Sequence, residues 1–196
     1  MDVLIACEFS GIVRDAFDKK GHNAWSCDLI DTISPGYHIV GDVLDHLDDG
    51  WDLMIAHPPC KYLTVTANRS FLNNPERWKS RLDAMMFVHT LMNADIPKIC
   101  VENPVGVIST HIRKPDQYIQ PYEFGHTDSK KTGLWLKNLP LLKPTKICTP
   151  EWIFDKSGER YSKTHWCNPS TNNPKNTMIR SITYHGIADA MSSQWS

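Results

Sequence analysis

The sequence predicts an α/β fold built on a largely parallel sheet. Short apolar runs typical of buried strands alternate along the chain with segments of helical periodicity. A polar cluster follows directly on most of the predicted strands, as at Glu8, Asp28 and Asp42. In a parallel sheet the carboxyl ends of the strands meet at one edge, where ligands bind. The sequence therefore predicts a single cleft at that edge.

Each strand is predicted from a short apolar run. The runs lie at residues 3–7, 24–27, 38–40, 53–56, 98–101 and 132–136. Helical spacing of Val13, Ala16 and Phe17 predicts a first helix that ends at Gly21. Pro75 suits the first turn of a second helix, and residues 187–195 favour a last one.

Length and composition favour one domain. A chain of 196 residues is large enough for one hydrophobic core. Residues 138–178 are rich in proline, asparagine, serine and lysine, which predicts largely irregular chain there. No apolar run reaches the roughly 18 residues that span a bilayer. The amino terminus lacks the basic start of a signal peptide, so we expect a cytoplasmic protein.

The six cysteines are scattered and form no Cys-x-x-Cys pair. This pattern disfavours a zinc ribbon, and a cytoplasmic setting disfavours disulfides. Cys148 with His165 and Cys167 is the one set that could bind a metal. Because isolated cysteines usually serve as small buried hydrophobes, we expect no metal site.

The net charge of −1 hides an asymmetry between the two halves of the chain. Residues 1–110 contain 9 basic and 15 acidic side chains, whereas residues 111–180 contain 12 basic and 6 acidic ones. A positive second half points to an anionic partner, although scattered solvated lysines would give the same count.

Polar residues after the first three strands suggest a cofactor site. The Ser10-Gly11 turn before a helix would direct backbone N–H groups towards a ligand, or simply start the helix. Asp28 is placed to bind a ribose, or else to cap a turn, and Asp42 could contact an adenine. Together these residues predict a cofactor that contains a nucleoside. The Gly-x-x-x-x-Gly-Lys loop of nucleotide triphosphate sites is not in the sequence.

The segment His57-Pro58-Pro59-Cys60 places a thiol where a buried strand stops. Two prolines end the strand and would hold Cys60 rigidly at the mouth of the cleft, as covalent catalysis requires. A buried structural cysteine is the alternative. Glu102 follows the neighbouring strand, and we expect burial to raise its pKa so that it can donate a proton. A buried ion pair or a cap would be the structural explanation for Glu102.

These residues, in this order, resemble the DNA cytosine-carbon-5 methyltransferase family. The matching segments are Glu8-Phe9-Ser10-Gly11, Asp28, Gly41-Asp42, Pro58-Pro59-Cys60 and Glu102-Asn103-Pro104. The chain resembles in particular a compact subgroup common in phage and prophage sequences, through residues 57–60, 119–125, 130–135 and 186–191. The resemblance covers most of the chain and connects it with restriction and modification.

The resemblance implies a Rossmann-like, S-adenosylmethionine-dependent methyltransferase fold with helices on both faces of the sheet. Residues 1–196 would form one catalytic domain. The cofactor would be S-adenosylmethionine, bound by Phe9, Ser10, Gly11, Asp28, Asp42 and Pro58. Cys60 would attack carbon 6 of a cytosine in DNA while Glu102 protonates ring nitrogen 3. The implied substrate-binding residues are Pro59, Asn103, Lys130 and Thr132.

Two departures from the family bear on the substrate. The family's Gln-x-Arg-x-Arg motif is missing, and Lys130 and Lys131 would replace its arginines as point charges in catalysis. Residues 138–178 stand in place of a long target-recognition domain. The alternatives are therefore the same chemistry on a free cytosine nucleotide or on RNA, or a catalytically inert relative. Such a relative would bind nucleic acid or cofactor, as an anti-restriction decoy does.

Overall fold

The computed structural model describes residues 1–167 and 174–196, in which short strands and helices alternate. In chain order the elements are β1 (Asp2–Ala6), α1 (Ile12–Asp18), β2 (Asn23–Asp28), β3 (His38–Val40), β4 (Leu53–Ala56), α2 (Pro75–Met92), β5 (Lys98–Pro104), α3 (Ile108–His111), β6 (Gln117–Ile119), β7 (Thr132–Lys137), β8 (Trp152–Phe154), β9 (Arg160–Ser162), α4 (Lys163–Cys167), α5 (Pro174–Ser181) and α6 (His185–Gln194). Nowhere in these described ranges is a helix both long enough and apolar enough to cross a membrane.

Seven strands form the main sheet in the order β3-β2-β1-β4-β5-β7-β6. Neighbouring strands from β3 to β5 are parallel, whereas β7 runs antiparallel to both β5 and β6. Without β7 the order is 3-2-1-4-5-6, that of the doubly wound Rossmann fold. The predicted α/β class with a mostly parallel sheet is confirmed. The strand order reverses between β1 and β4, which places the binding crevice beyond the carboxyl ends of these two strands.

Helices cover both faces of the sheet, because successive side chains of a strand point to opposite sides. Ile5 of β1 belongs to a buried apolar cluster with Phe17 of α1 and Met191 of α6. Its neighbour Leu4 belongs to a second cluster on the other face, with Val88 of α2. Burial of each such side chain stabilises the fold by about 1.5–3 kcal/mol. Both layers fix the strand ends that form the crevice.

The predicted strands and the three predicted helices are present, but α1 ends at Asp18 and not at Gly21, and β5 continues through Glu102 to Pro104. The missed elements are short. The three-residue strand β6 and the four-residue helix α3 were not predicted. Within 138–178, where irregular chain was expected, β8 and β9 form an antiparallel hairpin that is followed by α4 and α5. Residues 168–173 of that region lie outside the described residues. These elements have three to eight residues, too few for hydrophobic periodicity to reveal them.

Candidate functional site

The residues predicted to bind a cofactor follow β1, β2, β3 and β4, which end at the same edge of the sheet. Asp28 and Asp42 approach each other there, since both lie near the Cys7 thiol at the end of β1. Burial, and then the negative charges of these carboxylates, raise the pKa of Cys7. Cys7 adopts a left-handed backbone conformation with φ of 58°, which is unusual outside glycine. The structure thus brings this part of the predicted site together.

Glu8 acts as an internal cap of α1. Its buried carboxylate accepts hydrogen bonds from the backbone N–H groups of Val13 (2.8 Å) and Arg14 (3.2 Å) and from the Ser10 hydroxyl (3.0 Å). These N–H groups therefore do not point at a ligand, and that expectation for the Ser10-Gly11 turn is wrong. An anionic side chain at the start of α1 also repels a ligand phosphate from the place where dinucleotide-binding folds hold one.

Gly11 has a packing role in the same turn. Its φ of 73° lies in the left-handed region, and an added Cβ would come within 2.4 Å of Nη2 of Arg14. That buried guanidinium donates to the Ser34 carbonyl (3.1 Å) and the Pro35 carbonyl (2.8 Å) and so holds the loop after β2. Gly11 is therefore needed for the loop that borders the crevice.

Asp28 and Asp42 both stabilise local backbone. The Asp42 carboxylate accepts a hydrogen bond from the N–H of Leu44 at 3.0 Å and caps a short 3₁₀ helix. Partial burial raises the pKa of Asp28, an effect opposed by hydrogen bonds from the N–H groups of Ile30 and Leu29. Since a carboxylate can accept about four hydrogen bonds, each side chain keeps capacity for a ligand.

The Pro-Pro-Cys segment is attached to β5. Pro58 is buried, and its carbonyl accepts a hydrogen bond of 2.8 Å from the Asn103 side-chain amide. The next two residues, Pro59 and Cys60, are exposed at the end of β4. Asn103 is adjacent to Glu102 in β5, so one side chain ties the thiol-bearing segment to the strand that carries the carboxylate.

A second attachment lies just beyond the thiol. The Leu63 carbonyl accepts a hydrogen bond of 2.8 Å from the N–H of Val107, in the segment after β5. At Gly106 the two backbones are so close that an added Cβ would lie 2.1 Å from the Leu63 oxygen. Only glycine permits this approach. The chain on both sides of Cys60 is therefore fixed to the segment that follows Glu102.

Glu102 is surrounded by groups that favour its ionised form. Burial by itself would raise its pKa. A hydrogen bond from His57, the positive charge of Lys130, the positive charge of a protonated His57 and a hydrogen bond from Thr132 together outweigh that effect and lower the pKa. Nδ1 of His57 lies 3.3 Å from Oε2 of Glu102. The expected rise in this pKa is therefore wrong, and the free protein holds Glu102 as a carboxylate.

The Cys60 thiol is in the opposite state. Although the residue as a whole is exposed, protein atoms surround its sulfur, and this desolvation raises the pKa most. The negative charge of Glu102 adds to the rise, and Lys130 and Arg180 oppose it. The net pKa lies above the ordinary value for cysteine, so the thiol is protonated at neutral pH. Lys130 precedes β7, whose first residue pairs with the last residue of β5. This pairing brings its ammonium to the edge where Cys60 and Glu102 lie.

Arg180 is a site residue that the sequence analysis missed. It lies at the end of α5, and its backbone carbonyl accepts a hydrogen bond of 3.0 Å from Nζ of Lys130. Its charge is close enough to Cys60 to lower the pKa of the thiol. No motif marked this arginine; the excess of basic residues over 111–180 was the only signal that included it.

Lys131 does not join the cluster. Its ammonium lies 4.4 Å from the centroid of the Tyr118 ring, a cation–π contact on an exposed part of the surface. A narrow cleft beside Glu102 is instead lined by Ile119, Pro121, Lys130, Thr132, Thr183, Tyr184 and Ile187. Among the described residues, which exclude the His165 side chain, no three metal-binding side chains are grouped to hold a metal ion.

The fold of this chain is similar to that of a solved structure. No family model matches the sequence, and no curated protein matches it. The structure is that of a protein described as a DNA modification methyltransferase encoded within a prophage of E. coli, with a TM-score of 0.48 and 12% identity. The similarity covers 76% of this chain and 52% of that one, so this chain spans about half the length of that protein. A similarity of this size is too small to establish a family.

Proposed function

We propose that the chain is an S-adenosylmethionine-dependent methyltransferase that methylates carbon 5 of cytosine in DNA through a covalent adduct with Cys60. The observation that carries this proposal is the placement of Cys60, Glu102 and Lys130 at the substrate end of the crevice. The charge of Lys130 lowers the pKa of both the thiol and the carboxylate, and the charge of Glu102 raises that of the thiol, so the three groups lie within electrostatic reach of one another. A nucleophile, a proton carrier and a fixed cation in one place are what covalent catalysis at an electron-poor ring requires.

The other end of the crevice fits S-adenosylmethionine better than a dinucleotide. A dinucleotide would place its pyrophosphate at the start of α1, where the Glu8 carboxylate already accepts the N–H groups. S-adenosylmethionine has no phosphate and carries a positive sulfonium, which a carboxylate does not repel. Asp28 would bind its ribose hydroxyls and Asp42 would lie near its adenine. The chain segments that follow β1 and β4, with Phe9, Ser10, Gly11 and Pro58, would line the remainder of the pocket.

The protonation states of the free protein indicate how the reaction starts. Cys60 holds a proton and Glu102 does not, because their pKa values are shifted in opposite directions. Attack on cytosine needs a different distribution of protons: Cys60 must be a thiolate when it meets carbon 6, and ring nitrogen 3 must receive a proton. We infer that the Cys60 proton passes to nitrogen 3 by way of the Glu102 carboxylate. One proton is moved, and no external acid is consumed.

The remaining steps follow from the same groups. Formation of the Sγ–carbon 6 bond places electron density on carbon 5, and protonation of nitrogen 3 neutralises the charge that develops on the ring. S-adenosylmethionine, when bound, would supply the electrophilic methyl group that carbon 5 takes. Loss of the carbon 5 proton to water, departure of Cys60 as thiolate and return of the nitrogen 3 proton to sulphur would regenerate the protein.

Lys130 and Arg180 would replace the arginines that the family provides near the base. Lys130 supplies a point charge beside Cys60 and Glu102. Arg180 would supply the planar guanidinium, which can donate two parallel hydrogen bonds to the base or to a flanking phosphate. Pro59, Asn103 and Thr132 would complete the base pocket.

DNA is the proposed substrate because the half of the chain with the basic excess, residues 111–180, contains Lys130 and Arg180. In place of a target-recognition domain, the described residues of 138–178 contain a short hairpin and helical segments, so we expect relaxed sequence specificity. A base in a duplex must be flipped out, at a cost of a few kcal/mol. A free cytosine nucleotide or an unpaired RNA base would avoid this cost, which keeps these substrates as the alternative. An inert cofactor-binding or nucleic-acid-binding relative is the second alternative.

The deciding experiment supplies tritiated-methyl S-adenosylmethionine with duplex DNA, RNA and dCTP in parallel, to wild type and to Cys60→Ser. We expect 5-methylcytosine in the DNA digest from wild type alone. Label in RNA or dCTP would change the substrate and keep the chemistry. Label that persists in Cys60→Ser would remove the covalent step. Cofactor binding without transfer to any acceptor would favour the inert relative.

A salt series distinguishes a polymer from a mononucleotide substrate. Binding through phosphates releases counterions, so the affinity for DNA should fall steeply as salt rises, whereas binding of dCTP should change far less. Equal salt dependence of both ligands would argue against a DNA-binding surface.

A further inference from the structure

His57 is the first residue of the His-Pro-Pro-Cys segment, and its side chain lies beside Glu102. Its backbone N–H donates to the Ala6 carbonyl at 2.9 Å, so it lies at the switch point between β4 and β1. Its side chain is only 8% exposed. Nδ1 faces Oε2 of Glu102 at 3.3 Å, while the buried Nε2 has no hydrogen-bond partner in the described part of the chain. A buried imidazole with one nitrogen engaged and one free calls for an explanation.

The position of the ring hydrogen follows from these contacts. A carboxylate can only accept hydrogen bonds, so Nδ1 of His57 must carry the hydrogen. Nδ1 therefore donates to Oε2 of Glu102 whichever charge the ring carries. Nε2 has no hydrogen-bond partner in the described part of the chain.

We propose that His57 is a positioning residue that holds Oε2 of Glu102 through its Nδ1–H and leaves the other carboxylate oxygen for the base. This inference rests on the proposed methyltransferase function. A carboxylate on a long side chain could otherwise rotate about its last bond, and both its oxygens would compete for the substrate. One fixed hydrogen bond at the end of a rigid strand removes that freedom.

The residues around Glu102 supply either a charge or a hydrogen bond of fixed direction. Cys100 precedes it in β5, Cys60 follows β4, and Lys130 and Thr132 approach from the start of β7. Lys130 supplies the positive charge, but its ammonium also donates to the Arg180 carbonyl and so is held from another side. His57 supplies a donor whose direction is set by a buried planar ring.

The first test uses the wild-type protein and needs no activity. Long-range ¹H–¹⁵N correlation spectra of the histidine rings identify the tautomer of each imidazole, with His57 assigned by its absence in His57→Phe, or in His57→Asn if the phenylalanine variant does not fold. We expect the hydrogen of His57 on Nδ1. A ring with its hydrogen on Nε2 and none on Nδ1 cannot donate to Glu102 and would overturn the proposal.

The second test follows the Glu102 carboxyl carbon by ¹³C NMR during a pH titration, with Glu102→Gln for assignment. In wild type we expect the pKa below the ordinary range of glutamate. His57→Phe keeps the ring shape but loses the donor, so the Glu102 pKa should rise. His57→Asn places an amide donor near the former Nδ1 and should restore most of the shift. A Glu102 pKa that is the same in all three proteins contradicts the proposal.

A matched control and an activity measurement complete the test. His46 pairs with Asp49 at 2.9 Å on the surface, and His46→Phe should leave Glu102 unchanged. Turnover should fall about 10²-fold in His57→Phe, with cofactor affinity retained, because a misplaced catalytic group costs about that much. His57→Asn should recover part of that loss, whereas equal loss in both variants would indicate only a packing role. If wild type transfers no methyl group while the tautomer and titration results hold, the proposed function fails and the His57–Glu102 pairing stands.

Discussion

The two halves of the crevice use their polar groups differently. Beyond β1, β2 and β3 the carboxylates are bound to the protein's own backbone, as Glu8 is to Val13 and Arg14. Beyond β4 and β5 several polar groups are unpaired. Three buried side-chain polar atoms lack a partner in the described residues, and two of them, on His57 and Asn103, lie in this second half.

This difference separates a half whose polar side chains are satisfied from a half in which some are not. An unsatisfied buried polar group costs about 1–3 kcal/mol, so a fold tolerates it only where something outweighs the cost. In the first half the local backbone already satisfies the carboxylates. In the second half a base with donors and acceptors at its edge would supply the missing partners. Variants should therefore affect stability in the first half and turnover in the second.

The largest effect should come from Glu102→Gln. Glutamine keeps the size of the side chain but cannot carry the proton to ring nitrogen 3, so methyl transfer should slow by about 10²–10⁴-fold. Single-turnover rates with DNA would measure the loss, and calorimetry should show unchanged binding of S-adenosylmethionine. A variant that loses cofactor binding as well would mean that the two halves are not separate.

The next largest effect should be the change of Cys60 reactivity with pH. Because desolvation and Glu102 raise the pKa of the thiol, its thiolate fraction should increase about tenfold for each pH unit between 7 and 9. Iodoacetamide labelling of the Cys167→Ser protein, in which the other exposed cysteine is removed, would follow this rise. Lys130→Ala removes a positive charge and should shift the curve to higher pH. A labelling rate that levels off near pH 7 would contradict a raised pKa.

Glu8→Gln tests the first half. The amide can still accept one hydrogen bond but loses the charge that strengthens the bonds from Val13 and Arg14, so unfolding should become easier by about 1–3 kcal/mol. Urea denaturation would measure the change, and Asp42→Asn, at an exposed cap, should cost less than about 1 kcal/mol. Equal costs for both would remove the distinction between a buried cap and an exposed one.

Much of this arrangement could be predicted from the sequence because it depends on local patterns. Apolar runs located β1, β2, β4 and β5, and the polar residue after each run located the edge of the sheet. The parallel topology then placed Asp28, Cys60 and Glu102 on that edge. Strand periodicity and strand ends are encoded within a few neighbouring residues, which is why a single sequence reveals them.

The parts that could not be predicted depend on contacts between distant residues. Arg180 lies near Cys60 although the two are 120 positions apart in the sequence. Lys130 lies near Glu102 only because β7 inserts antiparallel beside β5. The direction of the Glu102 pKa depends on the balance between burial and three neighbours from two other elements. Glu8 lay inside a recognised motif, yet only the course of the backbone shows that it caps α1.

Asp28→Ala should weaken cofactor binding moderately, in addition to the stability lost with its hydrogen bonds from the N–H groups of Ile30 and Leu29. The carboxylate would accept hydrogen bonds from the ribose hydroxyls, and losing them should weaken S-adenosylmethionine binding about tenfold, or 1.4 kcal/mol. Turnover at saturating cofactor should stay near that of wild type. An unchanged dissociation constant would place the ribose elsewhere in the crevice.

The smallest effect should come from Lys131→Ala, compared with Lys130→Ala. Both lysines precede β7, but the Lys131 ammonium lies over the exposed Tyr118 ring, whereas Lys130 acts on both Cys60 and Glu102. Exposed contacts of this kind contribute only about 0.5–1 kcal/mol, so Lys131→Ala should change turnover less than about twofold. Lys130→Ala should lower turnover at least about tenfold, since it removes a charge from a partly desolvated site. Equal losses in both variants would show that the two lysines serve only to attract DNA. Lys130 would then have no separate role beside Cys60 and Glu102.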